Sequence, residues 1–192
     1  EIGVRLVGSE MCIRDSCFDV SKLESSKYVK NSLILAHKLC IKSKSSGFIN
    51  CPIDKKLIKK KGIHGVTELI AKMNKITKST EVMMLYSKKI AVVPITTHIM
   101  IKDISKTITK KAIVQKITTL NKYYQIIFKE KPKIAVLGLN PHNSELSKNS
   151  EEIKKIIPAI LYLKKKVNID GPFVSDSFFI NDYKKYLSLI HI

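Results

Sequence analysis

The chain has 192 residues, 44% of them hydrophobic, and carries 35 lysines and arginines against 16 aspartates and glutamates, a formal charge of +19. That length and apolar content exclude wholesale disorder and suffice to bury a substantial core. A charge of this sign ordinarily puts nucleic acid or an anionic membrane first among partners, because basic excess concentrates phosphate before any specific contact forms.

Residue type and position weaken that reading. Arg5 and Arg14 are the only arginines, so 33 of the basic residues are lysine, spread along the chain instead of gathered in a block. Lysine does not make the bidentate and stacked contacts that arginine brings to bases and phosphates. A diffuse solvated surface is therefore expected, with a lysine-rich nucleic-acid-binding module lacking catalysis as the alternative from another class. Both arginines and no lysine fall in residues 1–16, EIGVRLVGSEMCIRDS. That stretch and the closing LSLIHI, residues 187–192, resemble translated sequencing-adapter sequence, so the fold is expected to be carried by residues 17–186.

Cys12, Cys17, Cys40 and Cys51 show no C-x-x-C spacing. Neither a zinc ribbon nor a disulfide framework is supported, and a reducing cytoplasm is the expected compartment. No apolar run reaches the roughly 18 residues of a membrane span, so no membrane partner is expected.

In chain order, Tyr28, Val29, Leu33, Ile34, Ala36, Leu39 and Cys40 recur at helical spacing and predict an amphipathic helix over 25–43. Phe48 to Cys51, between Gly47 and Pro52, reads as a short buried strand. A lysine-rich helix through Leu57 and Ile58 should stop at Gly62, and another should begin at Thr67 as its N-cap. The runs Val82–Tyr86 and Ile90–Ile95, separated by Ser87-Lys88-Lys89, predict an antiparallel hairpin. The longest helix should start at Thr109 and face inward through Ile113, Ile117, Leu120, Tyr124, Ile127 and Phe128. Ile134 to Leu139 is the most strand-like run. Asn149-Ser150-Glu151-Glu152 has the form of a capping box opening a helix that faces inward through Ile153, Ile156, Ile157, Ile160 and Leu161. Strands alternating with helices in this way predict an α/β fold with a mostly parallel sheet.

Two histidines follow strands in the same manner: Thr96-Thr97-His98 after one, Asn140-Pro141-His142 after the other. Ligands bind beyond the carboxyl ends of strands in such sheets, so both imidazoles belong to the expected functional rim. Two imidazoles suggest a divalent metal, yet they are an incomplete set, since a catalytic zinc generally takes three protein groups.

The segments around them resemble a family. VMML at 82–85, AVVPITTH ending at His98, KIAVLGLNPHNSE from Lys133 to Glu145, EEIKKIIPAI and GPFVSDSFF follow in the order and spacing of the 4-hydroxythreonine-4-phosphate dehydrogenase family of vitamin B6 biosynthesis. Upstream, Pro52-Ile53-Asp54-Lys55 is similar to that family's P-I-x-K strand exit, and Gly65-Val66-Thr67-Glu68 to its G-H-T-E motif. The resemblance runs over about residues 20–186. It implies a three-layer α/β/α fold with a mostly parallel mixed sheet, like that of isocitrate and isopropylmalate dehydrogenases, of which residues 17–186 would cover parts of both lobes, truncated at both ends. It also implies NAD and a divalent metal (zinc, magnesium or cobalt) as cofactors, a small phosphorylated amino-acid substrate, a homodimer in the full-length parent, and a cytoplasmic setting. His98 and His142 match two of the family's three metal-binding histidines, and Thr67 matches a substrate-binding threonine. Asp176 matches an acidic position near the site, although a carboxylate before a helix also suits an N-cap.

Three departures stand beside the resemblance. The G-H-T-E histidine is Val66 here, with His64 two residues earlier. The family's third metal histidine, in a Y-H-D segment, and its phosphate-holding basic residues are expected beyond this chain, so the polypeptide as it stands is expected to be inactive. No G-x-G-x-x-G occurs.

Overall fold

A computed structural model describes residues 25–42, 47–58, 63, 65–76, 81–97, 99–181 and 188–191. The chain divides into two compact units, residues 1–59 and 60–192. In the first, helix α1 spans Ser25–Ile41 and buries Leu33, while the single-turn helix α2, Lys55–Ile58, packs on it and buries Ile58. The Asp54 carboxylate accepts from the Lys56 backbone N–H at 2.9 Å and opens α2. The strand expected at Phe48–Cys51 is not formed. Ile49 is fully exposed and the segment joins no ladder, so apolar character alone did not make a strand there.

The second unit begins with helix α3, Val66–Met73. Its N-cap is Gly65 and not Thr67, which falls inside the first turn. Strand β1, Leu85–Tyr86, pairs antiparallel with β2, Ala91–Pro94, which gives the expected hairpin in shorter form. Helix α4 spans Ile101–Thr107 and α5 spans Lys110–Phe128, next to the expected start at Thr109, whose side chain caps the helix by accepting from the Ala112 backbone N–H at 3.1 Å. Strand β3, Ile134–Leu137, follows. After an irregular turn, the chain winds through a wide π-helical turn at Glu152–Ile156 into helix α6, Ile157–Leu163. Strand β4, Ile169–Phe173, the short helix α7, Phe178–Asn181, and strand β5, Ser188–His191, complete the described elements.

The sheet runs in the order β1-β2-β5-β3-β4, with every pair parallel except β1 with β2. The expected mixed, mostly parallel sheet is thus observed. The middle strand, β5, comes from the segment that composition set aside from the fold; it pairs with β2 through Ala91↔Ser188 and with β3 through Ile134↔Ser188. Ladder hydrogen bonds are made by backbone groups, so an extended segment can occupy that slot whatever its origin.

Both faces of the sheet are covered, which explains the continuous apolar runs in place of alternation. Ile134 and Val136 face one side, with Ile113, Ile117, Leu120 and Tyr124 of α5 and Ile156, Ile160 and Leu163 of the α6 stretch. Ala135 and Leu137 face the other side, with Phe178 of α7. Two helix faces are rotated from expectation. On α5, Ile127 is 63% exposed while Lys116 is buried, and ahead of α6 the inward position is Glu152 and not Ile153. Burial pushes the Lys116 amine down from its ordinary range, and the nearby Glu81 carboxylate opposes that shift.

Candidate functional site at the carboxyl rim of the sheet

The rim is built on the exit of β3, all four residues of which are buried. The Gly138 N–H donates to the Phe173 carbonyl at 2.9 Å, extending the contact with β4. A side chain at Gly138 would bring its Cβ to 1.8 Å from Asn143 Oδ1, so glycine is what lets Asn143 fold back against the strand. Gly171, at φ 132°, lets β4 approach β3 closely, since a Cβ there would lie 2.4 Å from the Val136 carbonyl oxygen.

Beyond Gly138 the backbone is gripped by a single fully buried carboxylate. Glu152 Oε1 accepts the N–H groups of Leu139 and Asn140, each at 2.9 Å, and Asn140 Nδ2 reaches Oε1 at 3.2 Å and Oε2 at 3.1 Å. Burial alone would push the pKa of this group up, but the donors from Asn140 and Leu139 outweigh it and hold the carboxyl below the usual carboxylate range. A buried charge without hydrogen bonds would be prohibitive, and here N–H dipoles supply the compensation. The expected capping box is therefore not closed through Glu152: its side chain turns toward β3, while Ser150 Oγ accepts from the Ile153 N–H at 3.3 Å.

His142 stands on the turn that follows. From His142 to Leu146 five consecutive non-glycine residues adopt φ between 47° and 54°. Left-handed backbone costs about 1–2 kcal/mol per residue with a side chain. The turn is held by the Asn143 N–H to the Asn140 carbonyl at 3.0 Å, Asn143 Nδ2 to the Pro172 carbonyl at 3.1 Å, and the Ser147 N–H to the Ser144 carbonyl at 2.9 Å. Asn143 is buried and its Oδ1 has no hydrogen-bond partner among the described residues, whereas His142 beside it is exposed. The turn thus anchors one side chain inward and presents an imidazole outward.

Glu151, next to Glu152, extends the network. It accepts from the Ser105 hydroxyl of α4 and, through Oε2, from Asn140 Nδ2 at 3.2 Å; the Ser105 bond first, with lesser help from Asn140 and Lys155, holds this carboxyl below its ordinary range. Lys155 Nζ donates to the Ser105 carbonyl at 2.5 Å. On the other flank Ser175 Oγ donates to the Gly138 carbonyl at 3.3 Å, and the exposed Asp176 accepts from the Ser177 N–H at 2.7 Å just before α7.

Of the residues singled out in the sequence, His142 and the loop of Asp176 meet at the β3 exit. Val66, half-buried, and Thr67, exposed, lie in the first turn of α3, outside that hydrogen-bond network. His98, His64 and the side chain of Lys55 lie outside the described residues. Among the described residues no three His, Cys, Asp or Glu side chains stand close enough to hold a metal ion, and no helix is long and apolar enough to cross a membrane. The sequence reading missed Glu152, Glu151, Ser105 and Asn143. One signal was legible: Glu152 precedes Ile156 and Ile160 at intervals of four, so a carboxylate sits on the inward stripe of a helix, a position that calls for a partner.

Comparison with known proteins places this geometry. Residues 7–191 match the family described as pyridoxal phosphate biosynthetic protein PdxA. The chain is 40% identical over 157 residues to the 4-hydroxythreonine-4-phosphate dehydrogenase of Aquifex aeolicus, covering 79% of this chain and 48% of that protein. It is 34% identical over 181 residues to the enzyme of the same name from a Sulfurihydrogenibium species, covering 91% and 56%. The crystal structure of 4-hydroxythreonine-4-phosphate dehydrogenase from Klebsiella pneumoniae superposes with a TM-score of 0.76 at 25% identity, over 87% of this chain and 52% of that one. The chain spans about half the length of these relatives. With a family match over nearly its whole length and the same α/β fold, the chain belongs to the PdxA family of pyridoxal phosphate biosynthetic proteins.

Proposed function

We propose that this chain is part of an NAD- and divalent-metal-dependent dehydrogenase that oxidises 4-phosphohydroxy-L-threonine. The carbon bearing the hydroxyl gives up a hydride to the nicotinamide and the hydroxyl gives up its proton. The resulting β-keto acid loses carbon dioxide and, after protonation, leaves 3-amino-2-oxopropyl phosphate. The observation that supports this reading best is the β3 exit: an exposed imidazole, His142, carried on a left-handed turn that a buried carboxylate anchors from below.

The groups present suit a divalent ion in kind. Imidazole is a good donor to zinc and cobalt, and His142 is exposed where a substrate could reach it. His142 and His98 are the proposed ligands, with Thr67 as a substrate contact and Asp176 as an outer partner. A bound ion would act as a Lewis acid toward the substrate alcohol and the ketone formed from it. Glu152 keeps Asn140 fixed and so holds the His142 turn against the strain of its left-handed backbone.

His98→Ala and His142→Ala are expected to weaken zinc or cobalt binding by tenfold or more in an isothermal titration; unchanged affinity in both removes the metal role. Because the 192 residues span half of their relatives' length, they are proposed not to turn over alone. Metal-dependent NAD reduction by the purified chain with the phosphorylated hydroxythreonine would overturn that. Val66 at the family histidine position favours a second reading, a related phosphorylated hydroxy acid as substrate. A substrate panel on the complete enzyme, with Val66→His alongside, separates the two. Residues 17–186 are proposed as the protein's own sequence, and continuous genomic reads across both junctions would refute the foreign origin of the ends.

A further inference from the structure

One carboxylate touches two segments that are remote in sequence. Glu151 accepts from the Ser105 hydroxyl on α4 and from Asn140 Nδ2, which lies two residues before His142. Helix α4 begins at Ile101, three residues after His98. Lys155, one helical turn after Glu151, grips the same serine through its carbonyl at 2.5 Å and approaches its hydroxyl at 3.5 Å. The Ser105 backbone and hydroxyl are thus bound by a cation and an anion from one turn, and the anion also holds the β3 exit. Glu152 cannot substitute for this link: among the described residues its bonds go to Leu139 and Asn140 alone.

We infer that Glu151 is a positioning residue that yokes α4 to the Asn140–His142 turn, so that an ion bound through His142 meets an imidazole on a turn that one carboxylate fixes against α4. The inference rests on the proposed metal role of His98 and His142. Groups that orient metal ligands from behind typically alter affinity by about 10- to 100-fold when removed. Glutamine at this position keeps the size and loses the charge that draws both donors, and Ser105→Ala removes only the α4 arm.

The test has two readouts on the 192-residue chain. In the metal-free chain, hydrogen–deuterium exchange should speed up at least threefold in Glu151→Gln within both 99–107 and 138–147, with the midpoint of thermal unfolding shifted by no more than a few degrees. Faster exchange in only one segment, or in neither, overturns the yoke. In a cobalt(II) titration Glu151→Gln should bind about tenfold more weakly with an altered visible absorption band, Ser105→Ala should reproduce part of the loss, and Glu151→Asp should recover part of it. Cobalt affinity and spectrum unchanged in Glu151→Gln, while the histidine variants lose affinity, overturns the positioning role. If the histidine variants bind as the parent does, the metal reading falls and takes the metal-facing half of the inference with it; the exchange data then decide the yoke.

Discussion

The two sides of β3 are held by opposite means. Along the strand, Ile134 and Val136 meet α5 and the α6 stretch in a cluster of buried apolar side chains. At its exit, three residues further on, Leu139 and Asn140 are held by the charged oxygen of Glu152. The core is non-directional and tolerates substitution as long as volume is kept. The exit is directional, and the two backbone donors depend on one acceptor. A scaffold of the first kind supplies stability, and a rim of the second kind supplies a fixed geometry for His142.

The sharpest way to break this contrast is Glu152→Ala. It strands the N–H groups of Leu139 and Asn140 and leaves the Asn140 amide to Glu151, at about 1–3 kcal/mol for each backbone donor left without a partner. Urea unfolding should show a loss larger than that of any single core truncation; a smaller loss would mean that water satisfies the donors. Ile117→Ala, in the core under α5, should cost about 2–5 kcal/mol through lost burial and a residual cavity, with the cobalt affinity unchanged. Gly138→Ala places a methyl carbon where Asn143 Oδ1 now sits and should cost about 1–3 kcal/mol, with disturbed His142 resonances by NMR as its signature. Ser175→Ala removes one bond to the Gly138 carbonyl and should cost about 1 kcal/mol.

The contrast also predicts a pH dependence. Glu151 and Glu152 both lie below the usual carboxylate range in the folded chain. Their contribution is therefore complete above the unfolded carboxylate value of about 4.3 and is lost as pH falls through the depressed folded values. The urea midpoint of the parent should fall with acid below that point, and Glu152→Gln should flatten the fall. Equal slopes in the two proteins would sink the assignment.

Much of the scaffold could be read from residues alone. Thr109 caps α5, the hairpin of β1 and β2 forms, and the apolar run at Ile134 becomes a strand covered on both faces, because each depends on local pattern and backbone preference. The same local rules misread Phe48–Cys51, where no neighbour came to pair, and the inward stripes of α5 and α6, where the sheet chose which side faced it. His142 at a strand exit was legible because topology fixes where rims lie. Glu152 as its anchor was not, because the capping-box pattern offered that side chain a local use.

The sequence by itself determined the class of fold, the family, and the histidine-bearing segments, since periodicity, turn residues and ordered motifs are properties of neighbours along the chain. Tertiary structure alone decided that Glu152 turns away from its own helix to Leu139 and Asn140, that Glu151 joins Ser105 to the same turn, and that Asn143 packs where Gly138 has no side chain. The carboxylate contacts link residues 11 to 46 positions apart through directional bonds in a part-buried setting. A carboxylate's choice among competing donors is settled only when packing has decided which of them lose their water.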